Sequence, residues 1–222
     1  KAFEEKNRIR VSYYSAGDLK ELKEAIRIGE TKLIWVETPN NPNWEVTDIA
    51  KVAEIAKGVG SILITDCTAT PPPMTCALSL GADISFHSAT KYLNGHSDIT
   101  AGVLSFNNDH KFYEQFLEIR KLQGTVLNSN DAWLLIRGMR TLFLRVARCS
   151  SNAMQIAKYF QNHKLVKKVI YTGLSDHPGH QISKIQTSGQ FGGMISMIVR
   201  GNENTAINVA RYCNIFYPAT SL

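Results

Sequence analysis

The sequence has few of the features that mark a membrane protein, a disulfide-rich protein or a metal-binding protein. No apolar run approaches the length of a bilayer-spanning helix. The four cysteines show neither CxxC spacing nor the density of a disulfide scaffold. The six histidines show no HExxH pattern or other paired spacing. These absences argue against a membrane span and against a metal site, and the cysteine usage favours a thiol-reducing, cytoplasmic location.

A pattern typical of nucleic-acid binding is also missing. The net charge is +6, but the 25 basic residues are scattered along the chain and balanced by 19 acids. No basic–aromatic stripe is present, so we expect no nucleic acid among the partners. With 44% hydrophobic and 20% charged residues, the composition is that of a globular protein. A length of 222 residues allows one large domain, or one domain and part of another.

The first half of the chain alternates between strand-like and helical patterns. Ile49, Val52 and Ala56 have the spacing of one helix face, after a possible cap at Thr47 or Asp48. Short apolar runs bounded by polar turns indicate buried strands, and their alternation with helices predicts a mostly parallel α/β sheet with flanking helices. The predicted strands are residues 31–37, 61–66, 82–86 and 99–106, and the predicted helices are 18–28, 48–58 and 74–80.

The second half is predicted to be more helical. One helix is expected over residues 110–121 and a single long helix from about residue 128 to residue 163. Because long helices often connect domains, we place a domain boundary near residue 140. A strand at 165–171, a loop at 173–180, a strand at 193–199 and a helix at 203–214 complete the prediction. The pair Gly192 and Gly193 indicates a close backbone approach at the start of the last strand.

A lysine with nearby hydroxyl groups follows one of the predicted strands. Lys91 comes just after the apolar run 82–86, and Ser88 and Thr90 precede it. A lysine amine at a strand exit can form a Schiff base with pyridoxal phosphate, and the two hydroxyls can donate to its phosphate group. A solvated surface lysine is the alternative interpretation of the same pattern.

Polar residues also follow the two preceding strands. Asp66 ends the run 61–66, and Asn41 lies in the segment ETPNNP that follows the first strand. A carboxylate such as Asp66 can keep a pyridine nitrogen protonated, although it could instead only cap the turn toward Thr68. Polar groups at three strand ends are typical of an α/β sheet that builds a site at its carboxyl edge.

Four segments together resemble one enzyme family. ETPNNP, ITDCTATP, ADISFHSATKYLNGHSD and ATSL resemble, in order and spacing, the trans-sulfuration (Cys/Met metabolism) family of pyridoxal-phosphate (PLP) enzymes. The resemblance extends over nearly the whole chain, and SATKYLNGHSD is specific to the family. It implies the type I PLP-dependent transferase fold. The large cofactor-binding domain would cover residues 1–140, and a smaller α/β C-terminal domain would cover 141–222, with both domains incomplete.

The resemblance implies roles for individual residues in holding the cofactor. Lys91 would be the lysine that forms the Schiff base, and Asp66 would be the partner of the pyridine nitrogen. Ser88 and Thr90 would be ligands of the phosphate. Asn41 would lie near the phenolic oxygen of the cofactor.

The resemblance also implies contacts with the substrate. Asn41 and Ser221 would both meet the substrate carboxylate. Cys67 departs from the asparagine that usually follows the aspartate in this family, which leaves the role of Asp66 unaffected because the aspartate carries the chemistry.

The implied activity is β- or γ-elimination, or γ-replacement, on cystathionine or on amino acids derived from homoserine or cysteine, as in a cystathionine γ-lyase or γ-synthase. The family also implies a homotetramer of paired dimers with shared active sites. The chain would then be the middle and later part of a longer enzyme. The family's phosphate loop and ring-stacking tyrosine would lie upstream, and its carboxylate-binding arginine downstream. An aminotransferase of the same fold and a non-catalytic binding fragment are the alternatives.

Overall fold

A computed structural model describes residues 6, 9–107 and 112–219, and the first half of the chain forms a β-sheet with flanking helices. In the described ranges this sheet has four strands in the order β1 (Leu33–Glu37), β2 (Ile62–Asp66), β3 (Ile84–Ser88) and β4 (Gly102–Phe106). The first three strands are parallel, and β4 is antiparallel to β3. The prediction of a mostly parallel sheet is therefore confirmed.

Two helices of the first half begin at capping aspartates, and the cap of the second is one that the sequence indicates. Helix α1 (Leu19–Ala25) begins after Asp18, whose carboxylate accepts from two backbone amides, and it is shorter than predicted. Helix α2 (Ile49–Val59) begins after Asp48 and ends at Gly60, which has a φ of 70°. Gly60 adopts this left-handed conformation without a steric penalty and so closes the helix.

One face of the sheet packs against these helices in the main core cluster. Strand β1 alternates exposed and buried residues, as expected for a strand with one covered face. Burying these side chains removes apolar surface from water, and this transfer stabilises the fold. The cluster consists of Leu22, Ile34, Val36, Ile49, Val52, Ala56, Leu63, Cys67, Ala77 and Ala82.

The short helix predicted at 74–80 is reduced to a 3-10 helix at Ala77–Leu80, closed by Gly81 with a φ of 98°. Strand β3 runs from Ile84 to Ser88, two residues later than predicted at both ends. This shift places Ser88 at the last position of the strand. The turn that follows it then carries Lys91.

The prediction of a single helix from about 128 to 163 is wrong. After α3 (Tyr113–Gln123), the chain forms two helices, α4 (Ser129–Met139) and α5 (Leu142–Gln161). At the break, the Arg140 amide donates to Arg137 O and the Thr141 amide donates to Gly138 O. The Thr141 hydroxyl also donates to Gly138 O. These contacts use carbonyls of the last turn of α4, so the helical ladder does not continue. The domain boundary that we predict near residue 140 stays a prediction.

The last part of the chain forms a small sheet with two helices. Strand β5 (Val166–Ile170) pairs antiparallel with β6 (Ser196–Val199). Helix α6 (His180–Gln186), which the sequence prediction missed, lies between them, and α7 (Glu203–Arg211) follows β6. None of the helices in the described part of the chain is long and apolar enough to cross a membrane.

Gly192 and Gly193 make the predicted close approach, but β6 begins three residues after them. A Cβ on Gly192 would lie 2.9 Å from Ala69 O. A Cβ on Gly193 would lie 2.8 Å from the Cβ of Cys149. The two glycines therefore pack the chain against the segment after β2 and against α5, and the strand starts only after this contact.

Candidate active site

The carboxyl ends of β1, β2 and β3 meet at one edge of the sheet. Glu37 at the end of β1 pairs with Asp66 at the end of β2, and Asp66 pairs with Phe86 in β3. Because these strands are parallel, the loops that follow them leave from the same edge. The predicted site residues Asn41, Asp66 and Ser88 all lie at or just beyond these strand ends.

Thr68 links Asp66 to the end of β3. Its hydroxyl donates to Asp66 Oδ1 at 2.6 Å, and its backbone amide donates to the same oxygen at 2.9 Å. The same hydroxyl accepts from the Ser88 amide at 2.8 Å. The turn cap considered in the sequence analysis is therefore present. It fixes a half-buried carboxylate at the sheet edge, directly beside the start of the Lys91 turn.

Lys91 lies in a tight turn that follows Ser88. Its backbone amide donates to Ser88 O at 3.1 Å, and its carbonyl accepts from the Gly95 amide at 2.7 Å. The side chain is half-buried. It lines a cavity of about 480 Å³ whose wall also includes Tyr92, Leu144, Arg145, Arg148, Cys149 and Met194.

The hydroxyl of Thr90 is engaged with the chain that leads into β4. Thr90 Oγ1 accepts from the Ala101 amide at 3.0 Å and lies 3.3 Å from Ala101 O, to which it donates. Thr90 would therefore have to redirect its proton to bind a phosphate oxygen.

Tyr92, the residue after the lysine, fastens the turn to the C-terminal part of the chain. Its phenolic oxygen accepts from the Gly193 amide at 2.9 Å. Burial raises the pKa of Tyr92 to about 12, so the phenol is protonated at neutral pH. Its role here is that of a half-buried anchor.

Asn41 is exposed in the loop after β1. Its backbone amide donates to Glu37 Oε1 at 3.1 Å. Pro42 O, the next carbonyl, accepts from the Ser196 hydroxyl at 2.8 Å. The loop is thus held at the same sheet edge as Asp66, with the Asn41 side chain on its surface.

Cys67 and His87 lie on the opposite face of the sheet from Asp66, because successive strand residues point to opposite faces. Cys67 is fully buried, and burial raises the pKa of its thiol. His87 is also buried, and its Nε2 lies 3.1 Å from Ser85 Oγ. The described residues contain no group of three side chains suited to a metal ion.

Ser221 lies outside the described residues. Sequence reasoning missed Arg145, Trp44 and the Tyr92–Gly193 contact, which join segments far apart in the chain and leave no local signal. The Thr68 contacts had a local signal, because an aspartate followed two residues later by threonine favours such a turn.

The chain is similar to a known protein family and to curated proteins of that family. The family described as "Cys/Met metabolism PLP-dependent enzyme" matches residues 1–222. Cystathionine beta-lyase from Coxiella burnetii is 40% identical over 211 residues, which are 95% of this chain and 54% of that protein. Cystathionine gamma-lyase from Bacillus subtilis is 42% identical over 195 residues, which are 88% of this chain and 51% of that protein.

Solved structures show the same likeness. The crystal structure of metB from Corynebacterium glutamicum superposes with a TM-score of 0.90 at 38% identity, covering 94% of this chain and 54% of that one. Cystathionine gamma synthase from Xanthomonas oryzae pv. oryzae, solved in complex with aminoacrylate and cysteine, gives a TM-score of 0.87 at 34% identity. The matched region is 93% of this chain and 52% of that one. The chain thus spans about half the length of the relatives that it matches.

Proposed function

The chain belongs to the Cys/Met metabolism family of PLP-dependent enzymes, and from that premise we propose that it forms part of an enzyme acting on sulfur-containing or homoserine-derived amino acids. The reaction is β- or γ-elimination, or γ-replacement, of the cystathionine γ-lyase or γ-synthase type. The observation that carries the proposal is the link from Asp66 through Thr68 to Ser88, at the sheet edge from which the Lys91 turn departs.

The residues at this edge fit pyridoxal phosphate chemically. A half-buried carboxylate that already accepts two hydrogen bonds is held in one orientation, as a partner for a ring nitrogen must be. Ser88 would provide a hydroxyl for the phosphate, and Thr90 would do so once its proton turns away from Ala101 O. Lys91 would provide the amine that holds the cofactor covalently. When bound, the cofactor supplies an electron sink that stabilises negative charge at the α-carbon of an amino acid.

Lys91 would also act as the base of the reaction. In that role Nζ of Lys91 would accept the α-proton of the bound amino acid, because the amine that holds the cofactor is the basic group nearest the carbon that reacts. Asp66 would stabilise a positive charge at the ring nitrogen of the bound cofactor, because opposite charges at short range favour each other. Thr68 keeps the carboxylate aimed through its hydroxyl and its amide.

The substrate contacts are proposed at the neighbouring loop. Asn41 would face the phenolic oxygen of the cofactor and the substrate carboxylate, and Ser221 would contact the same carboxylate. The exposed position of Asn41 beside the sheet edge supports access to a small ligand. A homotetramer with shared sites is part of this proposal. A cytoplasmic location is a further part, supported by the free state of the cysteines at positions 67, 76, 149 and 213.

The test uses the complete polypeptide that carries this sequence, purified with pyridoxal phosphate. It is incubated with cystathionine, and separately with an O-acylhomoserine and cysteine. Release of a thiol, ammonia and an oxo acid, or formation of a thioether, would support the proposal. Transfer of the amino group to an oxo acid, without thiol or ammonia, would indicate an aminotransferase instead. Failure to bind the cofactor would indicate a non-catalytic protein, and light scattering on the same sample checks the tetramer.

A further inference from the structure

Arg145, in the first turn of α5, reaches from the helix to the turn that carries Lys91. Nη1 donates to Tyr92 O at 2.8 Å, and Nη2 lies 3.4 Å from Leu93 O. The same guanidinium donates to Gly138 O at 3.0 Å, and its Nε donates to Thr141 Oγ1 at 3.0 Å. One side chain therefore joins the lysine turn, the end of α4 and the start of α5.

Two glycines make room for this contact. A Cβ on Gly95 would collide with the guanidinium of Arg145, and Gly95 has a φ of 71°, which side chains rarely adopt. A Cβ on Gly138 would collide with Asn94 O, so α4 and the lysine turn touch through bare backbone. The turn and the helices are fitted to each other at the position of Arg145.

The carbonyls that Arg145 binds belong to the two residues directly after Lys91. Three sets of hydrogen bonds thus hold the turn. The Lys91 amide donates to Ser88 O, and the Arg145 guanidinium donates to the carbonyl that follows at Tyr92. The Gly193 amide donates to the phenolic oxygen of Tyr92. Burial lowers the pKa of Arg145, but a guanidinium keeps its charge at any physiological pH. Its bonds to carbonyls are therefore charge-assisted and persist across that range.

We propose that Arg145 is a positioning residue for Lys91, because it fixes the backbone from which the lysine side chain departs. The proposal rests on the proposed function, in which Nζ of Lys91 must reach the α-carbon of the bound substrate in every turnover. A lysine has a long flexible side chain, so a mobile backbone beneath it would add to the spread of Nζ positions. Small displacements of a reacting group are costly, about a hundredfold in rate for about 1 Å.

The first arm of the test needs no cofactor. Amide hydrogen exchange is measured over residues 88–97 in the cofactor-free protein, for the wild type, Arg145→Lys and Arg145→Ala. Arg140→Ala serves as control, since Arg140 is exposed on the same helix pair. We expect exchange in the lysine turn about tenfold faster in Arg145→Ala, less so in Arg145→Lys, and unchanged in the control. Unchanged exchange in a folded Arg145→Ala protein would overturn the proposal.

The second arm uses the holoenzyme. We expect kcat to fall about tenfold to a hundredfold in Arg145→Ala with little change in KM, and the pH midpoint of the bound cofactor's visible absorbance to shift. Arg145→Lys should recover part of both effects. Faster exchange with unchanged kcat and unchanged absorbance midpoint would show a structural role only, and would overturn the positioning role.

The two arms separate failure of this proposal from failure of the proposed function. If the wild-type protein binds no pyridoxal phosphate, the proposed function fails, and with it the role of Arg145 toward Lys91 as a reacting group. If Arg145→Ala does not fold, as judged by thermal melting, Arg145→Lys decides. It keeps the charge but cannot reach several carbonyls with one planar group. Wild-type exchange and kcat in Arg145→Lys would then overturn the proposal.

Discussion

The indole nitrogen of Trp44 donates to the hydroxyl of Ser196 at 2.6 Å, and this bond joins the loop after β1 to the strand β6. Ser196 in turn donates to Pro42 O at 2.8 Å. Trp44 is only 4% exposed, so most of its indole is removed from bulk water. Ser196 thus provides the acceptor that a buried indole requires, and it ties the Asn41 loop to the C-terminal part of the chain.

Removing that hydroxyl should destabilise the protein. In Ser196→Ala, the Trp44 N–H loses its acceptor, and we expect the free energy of unfolding to fall by about 1–3 kcal/mol. Chemical denaturation measures the change, with Ser79→Ala as control because Ser79 is exposed on the 3-10 helix. Ser196→Ala also loosens the loop that carries Asn41. If Asn41 contacts the substrate, KM of this variant should therefore rise by a larger factor than kcat falls. Equal stability of the two variants would show that the Trp44–Ser196 bond contributes little.

Substitution of the lysine tests the covalent attachment. Lys91→Ala should lose the visible absorbance of the bound cofactor and the fraction of cofactor that borohydride fixes to the protein, while the fold persists. The matched control is Lys57→Ala, at the exposed end of α2. Absorbance spectra and mass spectrometry after reduction report the result. A reducible covalent adduct that survives in Lys91→Ala would assign the attachment to another lysine.

Substitution of the aspartate tests the electrostatic role. Asp66→Asn keeps an oxygen that can accept from the Thr68 amide and hydroxyl, so we expect the site geometry and cofactor binding to be retained. The neutral amide cannot stabilise a charged ring nitrogen, and turnover should fall at least about a hundredfold. Steady-state kinetics measure the loss, against Glu54→Gln on the exposed face of α2. Near-normal turnover in Asp66→Asn would contradict the assignment of Asp66.

Local patterns were enough to predict the sheet and the N-terminal cap of α2. Asp18, Asp48 and Gly60 sit at helix ends as their chemistry requires, and Asp66 ends its strand as predicted. The break between α4 and α5 was not predictable, because the apolar period continues across it. What ends α4 is a set of contacts to Gly138 O, one of which comes from Arg145 seven residues later.

Part of the candidate site could also be predicted from local sequence patterns. Strand ends concentrate polar residues at one edge of a parallel sheet, so Asp66, Ser88 and Lys91 could be grouped from the sequence alone. The contacts that hold these residues come from elsewhere in the chain. Arg145 and Gly193 reach the Lys91 turn from more distant segments, and only the folded backbone brings them there.

A final prediction concerns stability at mildly acidic pH. Burial lowers the pKa of His87 below its ordinary value of 6.5, with Asp66 opposing the shift. In the unfolded chain the imidazole binds a proton as the pH falls below that value, whereas in the folded protein it stays neutral until a lower pH. The unfolded state then binds more protons, so stability is fully present above pH 6.5 and declines as the pH falls toward the folded pKa.

Replacing this imidazole should weaken the acid sensitivity. In His87→Gln, which keeps a polar group beside Ser85, the free energy of unfolding should drop less between about pH 7.5 and about pH 5.5 than in the wild type. Part of the slope should remain, because burial also lowers the pKa of His177. Urea denaturation at both pH values measures the difference. The free energy of unfolding at the higher pH, relative to the wild type, reports any loss of packing that the substitution itself causes. An unchanged slope would mean that His87 does not titrate with unfolding.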